Sequence, residues 1–217
     1  MSTSQVEIIR KDVKHARLRV SEDESVRLIV PLKFSKEAID EVLNKRKHWI
    51  TKKQQFFAKK SQITLNRNQL LLFGQRYNYF YDSNYKYKVT VNHDHFTISS
   101  QQDLLDSKVQ ERWYKKIAKD YLVKRTEELA SKLDFKYNNI YIRSPKNKWG
   151  NCSTDKNISY NWRLIKAPKF VIDYLIVHEL LHTIVMHHRI KFWVLLRSFY
   201  PDYKAAIKWL NTYGNSL

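Results

Sequence analysis

The sequence predicts an α+β protein. N-terminal strands and helices with an antiparallel β region should pack on a C-terminal core, built from a small sheet plus one histidine-bearing helix. Three observations predict it. Stretches rich in β-branched and aromatic residues recur at residues 6–30, 69–99 and 158–164. Two long amphipathic stretches, residues 36–60 and 104–133, separate them. An apolar run over residues 171–193, VIDYLIVHELLHTIVMHHRIKFW, carries four histidines.

Composition bounds the rest. The chain has 217 residues, and its 43% hydrophobic content supports a real core. Only three glycines and four prolines leave no room for a long flexible linker. The expected division is a β-rich region with one lysine-rich helix over residues 1–103 and a catalytic core over 104–217. Cys152 is the sole cysteine, which excludes an internal disulfide and fits a reducing cytoplasm. The N-terminus lacks a signal-peptide apolar core, and no run approaches the roughly 18 apolar residues of a membrane span. A soluble, cytoplasmic protein without a membrane contact is expected. The formal charge of +19 favours polyanions, including non-specific contact with DNA, although lysines spread over solvated faces give the same total.

Taken in order, residues 6–30 read as two strands joined at SEDES, and Ser35 can cap a helix over residues 36–60. Ile39, Val42, Leu43, Trp49 and Ile50 would be its buried stripe. In the β region, YKYKVTV reads as a half-exposed strand with Lys86 and Lys88 outward. Val109, Trp113, Ile117, Tyr121 and Leu122 would face the core from the helix over 104–133. A strand over 137–143, a turn at SPKNKWGN and a strand over 158–164 follow. After the histidine helix come helices over 191–199 and 203–210, separated by Pro201.

The histidine helix carries chemistry. Residues four apart share a helix face, so His178 and His182 of HELLH can offer two imidazoles to one ion, with Glu179 beside the resulting site. His188 is ten residues from His178. An unbroken helix would place it about 15 Å away, so the helix should end near Met186 or His187, with His187 as the left-handed turn. His188 then returns as the third ligand. Such a donor set suits zinc with a position left for water, and Glu179 can act as general base. A bare HExxH also arises by chance; the third histidine makes the pattern far more specific.

Upstream residues add to it. Lys148-Trp149-Gly150-Asn151-Cys152-Ser153, then Ile158 to Leu164 as I-x-x-N-W-R-L, then Pro168, Asp173-Tyr174, HELxH and H-x-x-x-F-W resemble the YgjP-like metal-dependent hydrolases, relatives of the SprT-like zinc metalloproteases. The resemblance covers nearly the whole chain. It implies a compact zincin-like core, with His178, His182 and His188 as metal ligands and Glu179 catalytic. It also implies a strand beside the cleft that aligns an extended substrate, placed at residues 158–164. The chain departs from the family in having His187, Leu181 and Arg189-Ile190 where other residues are usual. None of these removes a ligand.

A zinc peptidase acting on a peptide or protein is the first expectation, with Tyr160, Arg163 and Arg189 as substrate-binding candidates. A metal-dependent nucleoside triphosphate pyrophosphatase (acting, for example, on UTP) is the alternative. No Walker loop or carboxylate cluster supports it. A basic nucleic-acid-binding module is the third. Trp149, Cys152 and Trp162 are read as packing residues.

Overall fold

In a computed structural model, described over residues 6–21, 24–61 and 65–217 (backbone alone for 56–61), the chain divides into two units. The first comprises the described residues before Leu65. The second is Leu65–Asn215, so the strands after residue 65 group with the histidine-bearing segment rather than with the N-terminal region.

In the first unit, β1 (Val6–Lys11), β2 (Arg17–Val20) and β3 (Val26–Pro31) form a sheet of order β1-β3-β2. The two strands expected over residues 6–30 are therefore three. β1 runs parallel to the central β3, while β2 is antiparallel. Alternation along β3 turns Leu28 and Val30 inward, where they pack with Ile39 of α1 (Lys36–Ser61). The Ser35 hydroxyl accepts from the Ala38 amide at 3.1 Å, the expected cap. Of the expected stripe, Ile39 is buried but Trp49 is exposed.

The second unit holds two further sheets. β4 (Gln69–Leu72), β5 (Gln75–Tyr81), β6 (Val89–Asn92) and β7 (Thr97–Ser100) are arranged as β4-β5-β7-β6. The region is mixed rather than antiparallel, because β5 and β7 run parallel. Residues 82–88 carry the chain to the outer edge before β7 returns beside β5. The expected strand YKYKVTV shortens accordingly, pairing only from Val89 onward. β4 and β5 meet at a two-residue turn whose Phe73 and Gly74 both have positive φ, 51° and 76°. Such a mirror-image turn matches strand twist and favours glycine.

α2 (Ser107–Leu133) starts at an Asp106 cap. Its central core line is Tyr114, Ala118, Leu122, Thr126 and Ala130, an i, i+4 row with small residues that permit close approach. The more conspicuous Val109, Trp113, Ile117 and Tyr121 flank that row, half-buried.

β8 (Ile140–Arg143), β9 (Gly150–Cys152) and β10 (Ile158–Asn161) form the third sheet, in order β8-β10-β9. Two corrections follow. The strand expected over 158–164 stops at Asn161, where the Asn161 carboxamide oxygen accepts from the Arg163 amide and opens a 3-10 turn at Trp162–Lys166. It is also the central strand, paired on both sides, and presents no edge to a substrate. β9 lies at the edge instead.

α3 (Lys169–Leu181) begins after Pro168, fixed by the β4–β5 turn. The Phe73 and Gly74 amides donate to the Ile165 and Lys166 carbonyls at 2.9 Å each, and Gly74 lies against the Pro168 ring. Val171, Ile172, Ile176 and Leu180 are fully buried, each contributing about 1.5–3 kcal/mol by leaving water. Arg125 of α2 grips Asp173 of α3 with two hydrogen bonds of 2.8 Å. α4 (Ile190–Phe199) and α5 (Tyr203–Tyr213) complete the unit. Among the described residues, no helix is long and apolar enough to cross a membrane.

Candidate metal centre

Helix α3 ends at Leu181, earlier than the sequence suggests. The Thr183 hydroxyl donates to the Leu180 carbonyl at 2.7 Å, and the amides of Thr183 and Ile184 close onto Leu180 and Leu181. These tight bonds end the helix at Leu181, one residue before His182. His187 has no positive φ, so the left-handed stop expected there is absent. The reversal is spread over residues 182–189 and ends where the Trp193 indole donates to the His188 carbonyl at 3.0 Å.

This path brings three imidazoles together. The Nε2 atoms of His178, His182 and His188 stand 3.2, 3.1 and 3.0 Å apart. Among the described residues they form the one His/Cys/Asp/Glu group able to hold a metal ion. A tetrahedral ion with bonds of about 2.0–2.1 Å keeps its ligand atoms about 3.3–3.4 Å apart, so all three edges fit within a few tenths of an ångström. The donor chemistry fits too. His182 Nδ1 lies 3.0 Å from the Val185 carbonyl, which can only accept. In the neutral ring the proton is therefore on Nδ1, and the Nε2 lone pair faces its neighbours. Burial and the two other imidazoles push His178 down to about 3, and burial lowers His182 as well. Both rings are held neutral, as ligands must be. Phe192, fully buried, lies under all three rings with centroids 4.6–4.9 Å away.

Glu179 is 4% exposed, and its Oε2 has no hydrogen-bond partner. Burial pushes its carboxyl up to about 8, partly opposed by the charge of Lys148. An unpartnered buried carboxylate is costly, and a nearby cation with its water would satisfy it. Gly150 of β9 makes the space: a Cβ there would collide with Glu179 Oε1. His178, Glu179 and Gly150 lie in a cleft of about 410 Å³, further lined by Lys148, Trp149 and residues of α5.

The remaining candidates fall elsewhere. Tyr160 is fully buried, and its hydroxyl contacts the Thr126 hydroxyl at 3.2 Å. A residue in that position packs the core. The Arg163 guanidinium stacks over Trp162 at 4.5 Å, away from the cleft lining. Arg189 is exposed at the start of α4, beside His188 in sequence. Burial raises the Cys152 thiol to about 11, which leaves it protonated and outside the histidine cluster. Three contributors escaped sequence reasoning: Phe192 under the rings, Gly150 against the carboxylate, and Lys148 at the cleft. The K-W-G-N-C-S and H-x-x-x-F-W patterns contained all three residues but not their roles.

Three histidines able to hold a metal ion, with a buried carboxylate in the same cleft, fit a metal-dependent hydrolase. A family model described as YgjP-like, metallopeptidase domain, matches residues 14–213. The chain belongs to the YgjP-like family. Comparison with curated proteins finds no match.

Proposed function

We propose that the chain is a zinc-dependent metallopeptidase whose core is zincin-like, with β8-β10-β9 beside α3. The observation that supports it most is the pairing of three convergent imidazole nitrogens with an unpartnered, buried Glu179 Oε2. His178, His182 and His188 would hold the ion. When bound, zinc would supply Lewis acidity that lowers the pKa of a water, and its charge would favour the carboxylate form of Glu179. Glu179 then removes a proton from the attacking water and returns it to the leaving amine. The free edge of β9, adjacent to Glu179, can pair with an extended peptide backbone. The histidines and Phe192 fix the geometry before substrate arrives.

The formal net charge of +19 would favour non-specific nucleic-acid contact independently of the cleft. The test sets peptides, casein and nucleoside triphosphates side by side, with and without single-stranded DNA. Peptide cleavage by the zinc-loaded protein is expected, and the Glu179→Gln variant should bind metal normally yet lose at least about a hundredfold in kcat. Triphosphate hydrolysis without peptide cleavage would overturn the substrate assignment. Full activity in the variant would overturn the base.

A further inference from the structure

The cleft lining mixes three kinds of residue: His178, Glu179 and Gly150, the half-buried Trp149, Ile207 and Leu210, and the exposed Lys148, Asn211 and Asn215. A volume of about 410 Å³ is near the low end of small-molecule pockets, enough for a short piece of substrate. Lys148 has no ion pair among the described residues, and the Asn211 and Asn215 carboxamides make no side-chain hydrogen bond among them. Three donor side chains without a hydrogen bond or ion pair among the described residues therefore line one cleft, Lys148 from the loop before β9 and the two asparagines from the C-terminal end of the unit.

The lysine is carried on a fixed loop. The buried Asn161 carboxamide donates to the Pro145 and Lys148 carbonyls at 3.0 and 3.1 Å, and the Asn161 amide donates to the Trp149 carbonyl at 2.8 Å. The Trp162 indole holds Ser144 at 3.0 Å. These bonds tie both ends of the loop to the β10 terminus, so the cation is presented by an ordered backbone.

We propose that Lys148, Asn211 and Asn215 form an anion-binding rim that selects substrates carrying a carboxylate one residue beyond the cleaved bond. The inference rests on the peptidase reading and names its substrate class. A cleft whose lining joins half-buried apolar side chains to an exposed cation suits a residue whose body is apolar and whose far end is charged. A free C-terminal carboxylate and an acidic side chain share that chemistry.

Binding is measured to zinc-loaded Glu179→Gln protein, which separates recognition from turnover. The probes are acetyl-Ala-Ala-Phe as free acid, the same peptide as amide, and acetyl-Ala-Ala-Glu amide. At least one carboxylate peptide should bind about tenfold tighter than the neutral amide. Adding Lys148→Met should abolish that preference, whereas Lys148→Arg should keep it. Preference for the free acid alone identifies removal of C-terminal residues; preference for the glutamate peptide identifies internal acidic sites. Equal binding of all three, binding of none, or an unchanged preference in the Lys148→Met variant overturns the rim. If the rim binds as expected but the native enzyme cleaves no peptide, the peptidase reading falls while the rim stands.

Discussion

Glu179 and Gly150 make one device. The carboxyl is buried, lacks a partner on Oε2, and occupies the volume that any β-carbon at position 150 would take. Gly150→Ala should therefore displace the carboxylate while leaving the three imidazoles in place. Displacements of about 1 Å cost on the order of a hundredfold in rate. The expected result is full metal content with kcat reduced to that extent, read by elemental analysis beside steady-state kinetics; loss of metal would show that the glycine serves the ligands. The pairing of His178 with His182 was legible in the sequence, because i, i+4 spacing on an apolar helix is a local property, whereas the approach of His188 to both depends on the chain reversal after the helix. Tyr160 was not legible as a core residue: a tyrosine near the motif looks like a substrate contact until the sheet is seen to bury it. Lys148 was hidden for the opposite reason. It stood in the motif before Trp149, but one lysine among 40 Lys and Arg carries no local signal of its role, and only tertiary packing brings it to the cleft.

At the scale of elements, local patterns found nearly every helix and strand, while pairing partners and ends depended on tertiary bonds. Asn161 ends β10 by capping the 3-10 turn, and Thr183 ends α3 by bonding back to Leu180. Neither residue announces a stop in sequence. Parallel pairing in each sheet was equally invisible, since it is set by where the connections run. The 3-10 turn after β10 carries a further consequence. The Lys166 ammonium lies against Tyr114 and Trp162 at 4.7 and 5.3 Å and donates to the Leu217 carbonyl at 3.0 Å. Burial, aided by Arg163, pushes it down to about 8. Its unfolded value is near 10.4, so the unfolded chain holds more protons between those values and native stability rises with pH there. Lys166→Met removes a charged group whose burial costs stability below pH 8. Denaturant melts should show the variant about 1 kcal/mol more stable at pH 7, with the advantage shrinking between pH 8 and 10.4. A pH-independent difference would mean that the ammonium is not destabilised by burial.

For the whole molecule, the metal is the link between chemistry and stability. Ion binding to the native centre alone stabilises the fold by about 4 kcal/mol at a thousandfold excess over Kd. In a unit of this size that corresponds to a Tm higher by roughly 8–16 °C. Chelation should lower the calorimetric transition of the Leu65–Asn215 unit by about that amount, and re-addition of zinc should restore it. An unchanged transition would place any bound metal outside the fold. The central claim is narrower and can be measured directly by zinc K-edge X-ray absorption on the loaded protein. Three imidazole nitrogens at about 2.0–2.1 Å and one further light-atom ligand are expected, with one imidazole lost in His188→Ala. A sulfur neighbour, or a first shell unchanged by that substitution, would contradict the account.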